Sequence, residues 1–262
     1  MDNENITPPA QPRPRIEVVE TPNYKPVMTY TILGVTVFVY LLQMATLYLW
    51  PKIDLPAALG VKANNLIMAG QWWRLFTPML LHDDSLLPLH IGFNMYFLAI
   101  VGARLEKFTG HRAFLLLYIV AGFAGNVFSF LFSPYDALGA STALFGLMGA
   151  QVMFVLHNRA FLADNGKAAL KDALVLIGLN IVIGISLNAS GVGIDNWGHI
   201  GGLAGGALFA WFGGVKLDLE EIAFPRFRLI DARSGRERLF GAALVMLIFG
   251  GFAALKIAGI AF

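Results

Sequence analysis

The chain has 262 residues, 57% of them hydrophobic and only 14% charged, and its mean hydropathy of +0.65 is too high for a water-soluble domain. A net charge of +2 offers no field for nucleic acid, and the absence of cysteine excludes thiol catalysis, disulfide scaffolding and thiolate metal sites. What remains is a polytopic membrane protein whose first partner is the lipid bilayer.

The chain opens on a polar, proline-rich stretch (PPAQPRPRIEVVETPNYKP) that lacks the charged start and apolar core of a cleavable signal peptide, so residues 1 to 27 read as a disordered tail. A bilayer core asks for roughly 20 apolar residues of helix. Seven stretches meet or approach that: approximately 28 to 49, 89 to 106, 113 to 133, 139 to 157, 171 to 188, 196 to 214 and 239 to 261. The second and sixth are the least apolar, each carrying a histidine, and such residues inside a span are costly and usually functional. The class is therefore all-α.

Basic residues fix the orientation. Arg13, Arg15 and Lys25 precede the first span, Arg104, Lys107 and Arg112 lie around the second connection, and Arg159, Lys167 and Lys171 around the fourth. Lys216, Arg226, Arg228, Arg233, Arg236 and Arg238 fill the connection before the last span, where they either follow the topology rule or bind anionic lipid. The connections 134 to 138 and 189 to 195 hold no basic residue, so the N-terminus is expected in the cytoplasm and the C-terminus outside. Lys52, Lys62 and Arg74 are exceptions, all in one long outer loop, 50 to 88. Within it, QWWRLFTPMLL is too short to span, but it is amphipathic enough to lie in the interface with its tryptophans at headgroup level.

The same orientation assigns depth to the polar residues. Ser141, at the start of the fourth span, His199, at the start of the sixth, and His90, at the start of the second, all fall near the outer face, with Asn94 one turn below His90 on the same side of its helix. A serine hydroxyl becomes a nucleophile when a base within hydrogen-bond reach takes its proton, and His199 can be that base. The oxyanion formed on attack needs aimed donors, which His90, the Asn94 amide and the Ser141 backbone N–H can supply. No acidic residue lies in the spans near this layer, so a dyad is the economical reading. Gly198, Gly202 and Gly206 recur every four residues, and Gly146 and Ala150 form a matching small pair, which allows two helices to approach closely. Taken alone, those glycines are ordinary membrane packing. Phe145, one turn below Ser141, would set an aromatic ring against the imidazole.

Competing motifs fail on context. GASTA is not a nucleophile elbow, since no strand precedes it and Ala143 stands where the second glycine belongs. His82, His90 and His199 lack any zinc-ligand spacing, so no metal or other cofactor is called for. His82, His111 and His157 read as loop or interface residues, and Asp83 and Asp84 as a solvated turn.

These residues carry a family likeness. Trp73–Arg74 in the outer loop, H-x-x-x-N at His90 and Asn94, G-x-S at Gly139 to Ser141, and the run His199, Gly202, Gly206 together make the chain resemble the rhomboid intramembrane serine proteases over residues 28 to 214. The resemblance implies a six-helix catalytic core, Ser141 as nucleophile, His199 as general base and acid, and His90 and Asn94 as oxyanion stabilisers. It also implies transmembrane protein substrates cut near the outer membrane face. Residues 215 to 238 form a basic cytoplasmic loop outside this core, and 239 to 262 a seventh transmembrane helix, as in the family's six-plus-one form. A bacterial inner membrane is the expected location. The chain departs from the family pattern at Thr142, where glycine usually follows the serine, and in the long spacing of HDDSLLPLH between His82 and His90. The fifth span and the Ser190 to Asp195 loop are candidates for gate and cap because of their glycines. The contrasting class is a non-proteolytic membrane chaperone or transporter that uses the same polar layer for recognition.

Overall fold

The computed structural model describes residues 17–50, 53–83, 88–189 and 193–260. Helices occupy all seven apolar stretches. Helix α1 is Val27–Leu49; α2 (Leu55–Gly60) and α3 (Asn64–Met68) are short pieces of the outer loop, followed by two 3-10 turns at Trp72–Leu75 and Thr77–Leu80. Helix α4 (Leu89–Phe97) runs through a π-helical turn at Leu98–Gly102 into α5 (Ala103–Thr109). Then come α6 (His111–Phe132), α7 (Ser141–His157), α8 (Arg159–Ala189), α9 (Asn196–Gly213) and α10 (Gly235–Ile257). Four described helices or parts of helices are long and apolar enough to cross a membrane: Val27–Leu49, His111–Phe132, Asp164–Ala189 and Gly235–Ile257.

Local chemistry sets the boundaries. Gly110, at φ +73°, ends α5 and lets the chain turn into α6, and the Asp54 carboxylate caps α2 through the Ala57 amide at 2.9 Å. Ser234 and Glu237 form a reciprocal capping box at the start of α10.

Helix α6 is the hub. It buries Phe114, Leu117, Val120, Ala121, Ala124 and Val127 against its neighbours, and α7, α9 and α10 pack around it. Helices α1 and α8 are exposed along most of their length, with Phe38 and Leu41 on one and Val175, Leu179 and Val182 on the other facing outward, as lipid-covered faces do.

Two expectations require correction. The tail was expected to be disordered to residue 27, yet Glu17–Glu20 form a strand, β1; residues 1–16 lie outside the described residues. The basic loop holds a hairpin, β2 (Leu217–Ala223) and β3 (Arg226–Asp231), and β1 adds to it in the order β1-β3-β2, parallel to β3. The all-α class stands, with this small sheet beside the helices. Charge explains the pairing: the register sets Glu17 beside Arg226 and Arg228 between Glu20 and Glu220. Arg228 pairs with Glu220, Arg233 with Glu237 at 2.9 Å, and Arg238 with Asp231, so these basic residues of the connection have acidic partners within the chain.

Candidate active site

Ser141 opens α7. The chain reaches it through Gly139, whose φ of +130° is a region that L side chains rarely adopt and whose amide donates to the Pro78 carbonyl at 2.9 Å. The first bond of the α7 ladder runs from the Leu144 amide to the Ala140 carbonyl, so the amides of Ser141, Thr142 and Ala143 precede the ladder. Backbone donors at a helix N-terminus attract negative charge, and the Ser141 amide is one of them.

His199 lies in the first turn of α9. Asp195 caps that helix, its carboxylate accepting from the Gly198 amide at 3.0 Å and its carbonyl from the His199 amide at 3.1 Å. The imidazole is buried, and its Nε2 stands 2.9 Å from Ser141 Oγ. Its Nδ1 is buried with no hydrogen-bond partner among the described residues, so no carboxylate among them orients the ring. Stacking does so instead: the Phe145 ring lies parallel, 4.2 Å between centroids and 7° between planes. A neutral imidazole with its proton on Nδ1 can accept the serine proton at Nε2.

Glycines let these two helices meet. A Cβ at Gly202 would overlap the Thr142 carbonyl oxygen, one at Gly206 the Gly146 carbonyl oxygen, and one at Gly149 the Leu203 carbonyl oxygen. The side chain of Thr142 is buried among Gly125 of α6 and Gly198 of α9, with its Cγ2 only 3.1 and 3.0 Å from where their Cβ atoms would be. The β-branched residue after the serine thus fills the seam between three helices.

His90 approaches the serine from α4, and Asn94 lies one turn further along the same helix. The Gly139 Cα faces the His90 ring, such that a Cβ there would lie 3.1 Å from His90 Nε2 and 3.6 Å from Ser141 Oγ. Asn94 is buried, and its Nδ2 lies 3.0 Å from His82 Nε2. His82, expected to be a loop or interface residue, does lie in the loop before α4, but it is 1% exposed and meets the His90 ring edge-on at 5.1 Å. The reason is Gln43 of α1, whose side chain exchanges hydrogen bonds with the His82 amide (3.0 Å) and carbonyl (3.1 Å) and turns the loop inward. Burial pushes the His82 imidazole down to about 3, so it stays neutral and accepts from the Asn94 amide. Residues 84–87 of HDDSLLPLH lie outside the described residues.

Trp73 and Arg74 do not enter this layer. The Arg74 guanidinium is buried and donates to the carbonyls of Val61 (2.8 Å) and Ala58 (2.6 Å) and to Gln71 (2.7 Å), and the half-exposed Trp73 indole donates to Leu59 at 3.0 Å. They fold the outer loop on itself. Sequence reasoning missed Gln43, and it passed over Lys62, whose fully buried ammonium bonds two carbonyls of the connection before Ser141. The signal for Lys62 was a basic residue in a loop expected on the side where basic residues are scarce.

Comparison with known proteins follows the same residues. A family model described as the Rhomboid domain matches residues 69–216. Rhomboid protease GluP of Bacillus subtilis (strain 168) is 37% identical over 215 residues, which cover 80% of this chain and 38% of that protein. RHOMBOID-like protein 9, chloroplastic, of Arabidopsis thaliana is 33% identical over 162 residues, 61% of this chain and 35% of the relative. YdcA of the same Bacillus strain is 32% identical over 186 residues, covering 68% of this chain and 87% of YdcA. The chain thus spans less than half the length of the first two.

Proposed function

The chain belongs to the rhomboid family, and from that premise we propose that it is an intramembrane serine endopeptidase that cleaves transmembrane protein substrates near the outer membrane face. The observation that carries this reading is the 2.9 Å approach of His199 Nε2 to Ser141 Oγ, with the His90 ring against the Gly139 turn beside them. In the proposed reaction Ser141 Oγ attacks the scissile carbonyl carbon while its proton passes to His199 Nε2. The oxyanion is held by the Ser141 amide with His90 and Asn94 beside it, and removal of one such donor typically costs about 100- to 1000-fold in rate. The imidazolium then protonates the leaving amine, and water, deprotonated by the same nitrogen, releases the acyl group.

A helical peptide bond is shielded by its own ladder, so the substrate enters with one end unwound. Helix α8 supports the proposed gate, since it packs on α7 and only lightly on α9. Of the proposed cap, Ile194 is tied to the end of α8 by two bonds to the Asn188 side chain, at 2.7 and 2.5 Å; residues 190–192 lie outside the described residues. The proposed topology keeps the N-terminus cytoplasmic and the C-terminus outside a bacterial inner membrane. Residues 28 to 214 form the core in this scheme, and 239 to 262 the added span, of which 261 and 262 lie outside the described residues.

The test is reconstitution with a transmembrane substrate in vesicles. Cleavage by the wild type and none by Ser141→Ala supports the proposal, whereas equal behaviour of the two returns the polar layer to the recognition role of a chaperone or transporter.

A further inference from the structure

Two lysines from distant parts of the chain converge on one helix end. Helix α6 stops at Phe132, and a helix terminus leaves its last carbonyls without partners along the ladder. From α10, Lys256 Nζ donates to the carbonyls of Phe130 (2.5 Å) and Leu131 (2.9 Å) and stands 4.8 Å from the centre of the Phe130 ring. From the outer loop, Lys62 Nζ donates to the carbonyls of Ser133 (3.2 Å) and Tyr135 (2.7 Å), and Asn64 adds a bond to Ser133 at 2.8 Å. The backbones of Lys62 and Ala137 then exchange bonds of 3.0 and 3.1 Å. Cations are favoured at a helix C-terminus, where they meet both the dipole and the free carbonyls.

The segment held in this way leads straight to the nucleophile. Between Phe132 and Ser141 the chain has no helix of its own, and its path is set by these bonds and by the Gly139 amide on Pro78. Asp195, the cap of the helix carrying His199, and Asp136 stabilise the Lys62 charge, while Lys256 opposes it. The cluster therefore holds the approach to Ser141 and lies within electrostatic range of Asp195 at the start of the His199 helix. Burying a lysine is costly unless its donors are used, and at Lys62 they are spent on this connection.

We infer that Lys62 and Lys256 are positioning residues that clamp the α6–α7 connection and so hold the Ser141 hydroxyl at His199, and that the added helix α10 supports the active site through Lys256 without entering it. The inference rests on the proposed role of Ser141 for its catalytic consequence; the clamp itself does not depend on that role.

The experiment compares the full-length protein with Lys62→Met, Lys256→Met and the corresponding Lys→Arg variants, by hydrogen exchange of the amides of residues 133–140 and by the rate at which a fluorophosphonate labels Ser141. Lys62→Met is expected to accelerate exchange in this segment while leaving α1 unchanged, and to slow labelling about tenfold or more, since small misplacements of reacting groups carry penalties up to about a hundredfold. Lys256→Met should do the same more weakly, and arginine should restore much of both. With a peptide substrate the loss should fall on kcat and leave KM nearly unchanged. Unaltered exchange in 133–140, or acceleration shared equally by every helix, overturns the clamp. Absence of labelling in the wild type as well would count against the proposed function alone, because the exchange measurement still decides the clamp.

Discussion

Gly202 faces the main-chain carbonyl of Thr142 so closely that a Cβ would overlap the oxygen, and this contact sets the distance between the helix of Ser141 and the helix of His199. Gly202→Ala must push α9 away from α7, and overpacking of this kind costs about 1–3 kcal/mol. The expected outcome is a lower melting temperature together with at least a tenfold loss of fluorophosphonate labelling, since the 2.9 Å Ser141–His199 contact cannot survive the shift. A thermal unfolding curve and a labelling time course check both parts. Thr142→Gly tests the other side of the same seam: it should destabilise the protein by emptying the slot between Gly125 and Gly198 without abolishing labelling.

Phe145 replaces the orienting carboxylate that His199 lacks. Stacked aromatic pairs contribute about 0.5–1.5 kcal/mol, and each 1.36 kcal/mol is about tenfold in rate. Phe145→Leu should therefore lower kcat several-fold with little change in KM, while Phe145→Tyr should stay close to wild type. Steady-state cleavage kinetics of the two variants check this.

His82 supports Asn94 from behind, and neither residue has a substitute partner among the described contacts. His82→Ala leaves the buried Asn94 amide short of an acceptor, and an unsatisfied buried group of this kind costs about 1–3 kcal/mol. The expected result is a loss of roughly tenfold or more in kcat/KM, with the double variant His82→Ala/Asn94→Ala no worse than Asn94→Ala alone. Additive losses in that cycle would separate the two residues.

Burial holds the Lys62 ammonium at about 8, against an ordinary lysine value of 10.5. The unfolded chain keeps that proton up to the higher value, so between about 8 and 10.5 the unfolded state binds more protons than the folded one. Stability relative to Lys62→Met should accordingly rise with pH across that window and be flat below it. Loss of the charge also weakens the bonds to Ser133 and Tyr135, so labelling of Ser141 should decline over the same range and remain level in Lys62→Arg. Melting curves and labelling rates as a function of pH read the two trends separately.

The parts of this molecule that were legible in the sequence are those governed by the bilayer and by helix periodicity. The meeting of Ser141 and His199 was expected from basic residues alternating between connections, and Phe145 could be set against the imidazole because residues one turn apart share a face. The contacts of Gly202 and Gly206 with α7 followed from their spacing. What escaped was whatever depends on the path of irregular chain. Glu17–Glu20 pairs with a strand more than 200 residues away, and nothing in its local pattern points to that partner. His82 is drawn inward by Gln43, a glutamine inside an apolar helix whose partner lies 39 positions on. Lys62 and Lys256 meet the end of α6 across separations of 71 and 126 residues, and the only trace of either in the sequence is a cation where a cation is unfavourable.

The central claim is that Ser141 is a nucleophile activated by His199. It is tested most directly by exposing the wild type, Ser141→Ala and His199→Ala to a fluorophosphonate and locating the adduct by mass spectrometry. The account expects stoichiometric modification of Ser141 in the wild type, none in Ser141→Ala, and a rate reduced by at least a hundredfold in His199→Ala, in line with the roughly 100- to 10,000-fold supplied by a positioned base. Modification at another residue, or equal rates in the wild type and His199→Ala, would contradict it.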